Sequence, residues 1–174
     1  MKRLLVVMAV MGLVVCLGGG QSWGDDGFYV IAAGGQSGKV LKTQVFTSNS
    51  QNTTVGDVNW AKLLNPQWTY TKLSSTSYLV ITYQDYLSRI GAADALSIYQ
   101  LRVNDQTSVA GEHAAMLVCN TAVPSANYGA TGVWSNVPKG AAGLSVWHYQ
   151  LGCSQCIQNS GANTTSVIVM EIEK

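Results

Sequence analysis

Ser77-Tyr78-Leu79-Val80-Ile81-Thr82-Tyr83-Gln84-Asp85 is the longest uninterrupted run of β-branched and aromatic residues behind the N-terminal segment of this chain. Side chains on a strand alternate between faces. Leu79, Ile81 and Tyr83 therefore share one face, and Tyr78, Val80 and Thr82 the other. A strand with apolar character on both faces belongs in the middle of a sheet that is covered twice. This stretch is expected to be the central strand of the fold.

Working outward, residues 74–76 read as a turn, and residues 67–73 alternate as a preceding strand. Residues 86–95, with Arg89, Gly91 and Asp94, read as a longer loop. Residues 96–103 read as a strand, with Tyr99, Leu101 and Val103 opposite Ile98, Gln100 and Arg102, and Asn104-Asp105 turns it. Residues 112–120 read as a strand, with a single helical turn as the alternative. Residues 121–127, with Pro124, read as a loop, and residues 138–140 as a turn. Residues 143–151 place Leu144, Val146 and His148 against Ser145, Trp147, Tyr149 and Leu151. Residues 153–162 read as a polar tip. The last strand, 164–172, is apolar on both sides at residues 167–170. It belongs inside a sheet, because such an edge strand would invite aggregation.

Before the central stretch, residues 25–33 read as a turn and a first strand, 34–38 as a loop and 39–46 as a second strand. Residues 47–57 form a polar connector. Residues 58–64 are a short helical turn or irregular strand that Asn65-Pro66 ends. About eight to ten short strands without an amphipathic helix predict an all-β chain, an antiparallel β-sandwich of jelly-roll type. Residues 67–174 form its core, and residues 25–66 belong to the same domain.

Only 11% of the 174 residues are charged, about half the usual share. The polar surface must come from Ser, Thr, Asn and Gln, a texture common in secreted β proteins. Net charge is +1, and without Lys2 and Arg3 eight cations face nine anions. No basic patch remains to hold nucleic acid. Lys2-Arg3 followed by an apolar run to Leu17 reads as a secretory signal over residues 1–24, cleaved before Asp25. The run is short of the roughly 20 residues a membrane span needs. The expected location is the periplasm, the cell surface or the medium. Leu13-Val14-Val15-Cys16 is similar to a bacterial lipoprotein box, with Val15 departing from its small residue. The membrane becomes a partner only through a lipidated Cys16 or an uncleaved signal.

From residue 67 to residue 172 the strand pattern resembles the jelly-roll heads of the C1q and tumour-necrosis-factor-like group. The likeness lies in Thr69-Tyr70-Thr71-Lys72-Leu73, Tyr78-Leu79-Val80-Ile81-Thr82-Tyr83 and Tyr99-Gln100-Leu101-Arg102-Val103, with the strand at 143–151 and the apolar last strand. The resemblance implies a homotrimer that binds other proteins, and it transfers no binding residue.

Behind the signal the cysteines are Cys119, Cys153 and Cys156. An exported chain is expected to use two of them in a disulfide. A bridge from Cys119 to one of the pair would close a loop of about 35 residues and add about 3–4 kcal/mol. The alternative is a local Cys153–Cys156 bridge. Cys153-Ser154-Gln155-Cys156 is followed by turn residues rather than a helix, so the redox arrangement lacks its dipole. Ile157 stands where covalent haem attachment needs His. One cysteine pair with His113 or His148 is half a zinc signature. His148 reads as a satisfied, partly buried residue. The glycine five places before Gly38-Lys39 that a phosphate loop requires is Ala33. Asp57, Asp85, Asp94, Asp105 and Glu112 read as solvated turn positions rather than a glycosidase pair. No catalytic residue, metal or cofactor is assigned. The aromatics carry the remaining signal. Trp60, Trp68 and Trp134 lie near predicted loops and are the candidates for a glycan-binding platform or a protein interface.

Overall fold

In the computed structural model the described residues are 6–9, 12–14, 29–31, 37–54, 59–109, 116–120, 125–158 and 164–173. Every regular element among them is a strand: β1 (Val6–Ala9), β2 (Gly12–Val14), β3 (Tyr29–Ile31), β4 (Ser37–Ser48), β5 (Asn52–Thr54), β6 (Ala61–Lys72), β7 (Tyr78–Val103), β8 (Met116–Asn120), β9 (Ser125–Trp134), β10 (Gly140–Gln158) and β11 (Thr165–Ile172). Two antiparallel sheets pack face to face as a β-sandwich. A parallel pairing of β1 with β3 lies outside that scheme.

β7 runs through both sheets. In its first half Ile81 stands between Val169 of β11 and Gly132 of β9. β4 flanks β11, with Gln44 opposite Val169, so the first sheet is ordered β4–β11–β7–β9. In its second half β7 pairs with β10, Leu101 opposite Val146, and with β8, Tyr99 opposite Leu117. β6 flanks β10 and β5 covers its far end. The second sheet is therefore β6–β10–β7–β8.

The stretch from Ser77 to Asp85 behaves as its alternation predicts. Leu79, Ile81 and Tyr83 join the core between the sheets, facing Tyr70, Leu101, Leu144 and Val146 of the second sheet. Tyr78 and Val80 lie in a separate cluster with Val133, Met170 and Ile172. Both faces are buried. Each fully buried aliphatic side chain contributes about 1.5–3 kcal/mol. β11 sits between β4 and β7, as the apolar last strand requires.

Five expectations are corrected. Residues 86–95 are not a loop: β7 continues through them, with Leu87 opposite Gln158 and Gly91 opposite Cys153. Register shifts around Cys153 let the ladder bend without ending. Residues 153–158 are for the same reason strand rather than tip, with Cys156 paired between Arg89 and Thr54. Pro66 does not end its element, because β6 runs from Ala61 to Lys72. Opposite it the register jumps from Ser145–Gln67 to Trp147–Lys62, so residues 63–66 bulge from the ladder and the missing proline N–H is not needed there. The connector at 47–57 contains β5, and the expected loop at 121–127 already contains the start of β9.

Two local devices fix the ends. Asn104 and Asp105 take φ values of 49° and 62°. Val103 and Gln106 exchange backbone bonds of 3.1 and 2.9 Å across them, which makes a two-residue hairpin whose twist suits its strands. At the other turn, Glu171 of β11 is wholly buried. Its carboxylate accepts from Tyr70 Oη (3.0 Å), Ser77 Oγ (2.6 Å), Leu73 N (2.9 Å) and Ser74 N (2.9 Å). Burial pushes this carboxyl up, but bonds from Ser77, Leu73, Ser74 and Tyr70 outweigh it and hold it below its ordinary 4.5. Tyr70 is pushed up, first by burial and then by its bond to Glu171. Lys72 is also buried, its ammonium on the Ser74 carbonyl.

Candidate functional site

On β10 the residues facing the core are Leu144 and Val146. Their alternates Ser145, Trp147 and Tyr149 therefore point to the outer face of the second sheet, where Trp147 and Tyr149 are half-buried and Ser145 is buried. On β7 the same rule puts Gln100 and Arg102 there, opposite Trp147 and Ser145. On β6 it is Lys62, opposite Trp147, with Gln67 opposite Ser145. Trp60 immediately precedes β6. The three strands thus lay two rows across one face, Lys62–Trp147–Gln100 and Gln67–Ser145–Arg102.

Arg102 is the centre of this face. Its guanidinium carbon lies 4.2 Å from the centre of the Trp147 ring and 5.2 Å from that of Trp60. Each such cation–π contact contributes about 0.5–2 kcal/mol, more as water is excluded. Its Nε donates to Gln100 Oε1 at 2.8 Å, and Gln100 is wholly buried. Tyr149 packs against Trp60, with ring centres 5.7 Å apart and planes tilted by 41°. Arg102 and the three rings are half-buried.

A polar network adjoins the rings. Lys62 Nζ donates to Asp105 Oδ1 at 2.7 Å, Ser145 Oγ to the same oxygen at 3.1 Å, and Trp147 Nε1 to Ser145 Oγ at 3.1 Å. Asn104 fixes the hairpin to β10 by accepting from Gly143 N and donating to Gly143 O, both at 2.8 Å. The Lys62 bond leads in holding the Asp105 carboxyl below its ordinary value, against slight burial and with help from Ser145, the Lys62 charge and Trp147. A shallow cleft of about 320 Å³ opens here, lined by Lys62, Gln67, Thr69, Asp105 and Ser145. A cleft of similar size, about 310 Å³, lies on the first sheet between Gln84, Asn127 and Ser166. Size does not choose between them. The aromatic shelf around Arg102 does, because it adjoins only the first.

No family model matches the chain, and no curated protein matches it in sequence.

The three tryptophan candidates separate. Trp60 belongs to the shelf. Trp68 lines the cleft and packs half-buried on Phe46 across to β4, ring centres 6.3 Å apart, with Nε1 on Thr47 O at 3.4 Å. Trp134 is a core residue, 3% exposed, whose Nε1 donates to Gln106 O at 3.0 Å; its ring is not on the surface. Cys119 pairs opposite Ser97 on β7, and Cys153 opposite Gly91, so β7 runs between the strands that carry them. The thiols themselves, Cys16, His113, Asp57 and Glu112 lie outside the described residues. His148 is buried on the inner face of β10, more deeply than the partly buried position expected of it. Asp85 is buried and accepts from Tyr83 Oη at 2.8 Å, whereas Asp105 caps the hairpin at the other end of the β7–β10 ladder. These two acids are not brought together. Among the described residues no three His, Cys, Asp or Glu stand close enough to hold a metal ion.

Trp147 and Tyr149 belong to the pool of aromatics that the sequence offers for a platform, but not to its three candidates, and nothing in the sequence singles out Arg102 or Lys62. The signal for the two aromatics was the alternation of Ser145, Trp147 and Tyr149, which puts bulky aromatics on the face opposite the aliphatic one.

Proposed function

We propose that the protein is an exported β-sandwich interaction module, with no reaction of its own, that holds its ligand on the outer face of the second sheet. The observation that carries this is the half-buried shelf of Trp60, Trp147 and Tyr149 around Arg102, beside a polar cleft. Export rests on the basic start and apolar run of the N-terminus. Flat aromatic faces next to amide, hydroxyl and charged side chains suit a carbohydrate chain, whose rings present both apolar C–H surfaces and hydroxyls. A second reading is a protein partner, further copies of this chain included. It is favoured by the residue types, since Trp, Tyr and Arg dominate protein–protein hot spots.

Two measurements on the mature protein separate these readings. Acrylamide quenching of tryptophan fluorescence is recorded with a panel of soluble neutral and acidic polysaccharides. Protection that disappears in Trp147→Ala supports the carbohydrate reading. Native mass spectrometry reads the number of chains, and three chains with these tryptophans protected in the absence of sugar would transfer the face to self-association. A monomer quenched equally with every polymer would overturn the carbohydrate reading. The denatured mass without reductant also reports a disulfide among Cys119, Cys153 and Cys156 as two missing hydrogens per chain.

A further inference from the structure

We infer that the cleft beside the shelf is the subsite that selects the ligand, and that it takes a neutral sugar unit whose adjacent hydroxyls bridge Asp105 and Lys62; the inference rests on the carbohydrate reading above. The floor of the cleft is Gly143, on the outer face of β10 between Thr69 of β6 and the Asn104-Asp105 hairpin. Its φ is not in the left-handed region. A Cβ built there would meet nothing nearer than Asn104 Oδ1 at 3.7 Å, an ordinary contact. Neither backbone strain nor crowding therefore demands a glycine at this place. A glycine inside a strand gives up side-chain packing, and it marks places where a ligand approaches the backbone closely. Any side chain here would stand in the cleft. The Gly143 N–H and C=O are both bonded to Asn104, so the floor gives a ligand a surface to lie on and leaves hydrogen bonding to the walls.

Among the described residues lining the cleft, Lys62 and Asp105 carry the charge, and they form an ion pair at 2.7 Å. A carboxylate has about four acceptor sites. Lys62 and Ser145 both donate to Oδ1, and half of the Asp105 side chain is exposed, so acceptor capacity remains toward the cleft. The Lys62 ammonium has three donors, of which one goes to Asp105. An acceptor and a donor held side by side match two neighbouring sugar hydroxyls, one donating to the carboxylate and the other accepting from the ammonium. Neither charge has to leave its partner. The carboxylate of an acidic sugar would have to draw Lys62 away from Asp105 or lie against a like charge, and such a juxtaposition is costly. The Thr69 hydroxyl and the Gln67 amide line the same cleft and serve the remaining hydroxyls of the unit. The ion pair is in place before the ligand arrives, which lowers the entropic cost of ordering it.

The test uses the mature protein with galactomannan, laminarin and dextran as neutral polymers and polygalacturonate as the acidic one. Titration calorimetry gives the dissociation constants, and urea midpoints confirm that each variant folds. The expected result is that at least one neutral polymer binds, and more tightly than polygalacturonate. Asp105→Asn and Gly143→Val should each weaken that binding by about tenfold or more, the worth of a charge-assisted bond. Gly143→Val acts by filling the floor, and it should leave the urea midpoint unchanged or raise it, because a β-branched residue suits a strand. Neutral binding that is lost in Trp147→Ala yet unchanged in both cleft variants would overturn the subsite and leave the carbohydrate reading standing. Polygalacturonate bound as tightly as the best neutral polymer, or more tightly, would overturn the neutral preference. A folded protein that binds no polymer at all would remove the inference and the reading together. Should Gly143→Val fail to fold, Asp105→Asn, which suits the hairpin equally well, decides alone.

Discussion

Glu171 and Asp105 are two carboxylates at different places in the sandwich, each surrounded by donors and each held below its ordinary pKa. Glu171 is wholly buried and accepts from two hydroxyls and two backbone amides of the β6–β7 turn. The side chain of Asp105 is 50% exposed, and its ion pair partner Lys62 is 36% exposed. The same lowered pKa therefore has two meanings. At Glu171 the donors have no water to fall back on, so the carboxylate is committed to the fold. At Asp105 water replaces whatever is lost, so the network shapes a surface without holding the molecule together.

The largest expected effect follows from removing the buried acid. Glu171→Ala leaves the Tyr70 and Ser77 hydroxyls and the amides of Leu73 and Ser74 without their acceptor, at about 3–5 kcal/mol in total. Urea unfolding measures it, and a loss below about 1 kcal/mol would erase the contrast with Asp105. The same carboxylate makes stability depend on acid. Its folded pKa lies below the 4.5 of the unfolded chain, so its contribution is complete above that value and is lost as pH falls through the folded one. Urea midpoints between pH 6 and 3 should fall, and Glu171→Gln should flatten that fall. Tyr70→Phe removes one donor and leaves the carboxylate three, for about 1–2 kcal/mol. Smallest is Asp105→Asn. It weakens an exposed ion pair and should shift stability by less than about 1 kcal/mol, while altering polysaccharide binding at the cleft. A larger stability loss would mean that the outer network is part of the fold after all.

Much of this arrangement was legible in the sequence, and the gaps have physical causes. The alternation of residues 77–85 is a property of one strand, and it assigned both faces of β7 correctly. The hairpin at Asn104-Asp105 was equally local, since both residue types tolerate the left-handed region. What failed was whatever depends on a neighbour. Arg89, Gly91 and Asp94 have the chemistry of a loop, but β10 bends alongside β7 and keeps residues 87–91 in the ladder. Trp134 lies near a predicted loop, which favours a surface reading until the backbone carbonyl of Gln106 is found to receive its N–H in the core. Arg102 and Trp147 each showed their face by alternation. That they meet follows from the β7–β10 register, which neither strand encodes alone. Glu171 is a single acid in an apolar strand, and its four donors lie far away in sequence, one in β6 and three in the turn that follows it.

The position of β11 also governs how the molecule is made. It enters the first sheet between β4 and β7, so neither of those strands has its inner neighbour until residues 165–172 arrive. The turn at residues 73–77 likewise waits for its acceptor. Pairings between strands so far apart in the chain form slowly, and the open edge of β7 meanwhile is a template for pairing with another molecule. A nascent or partly threaded chain is thus a half-built sheet with its stickiest edge showing. Keeping the chain extended until residues 165–172 have emerged, as a holding chaperone would, spares it that stage.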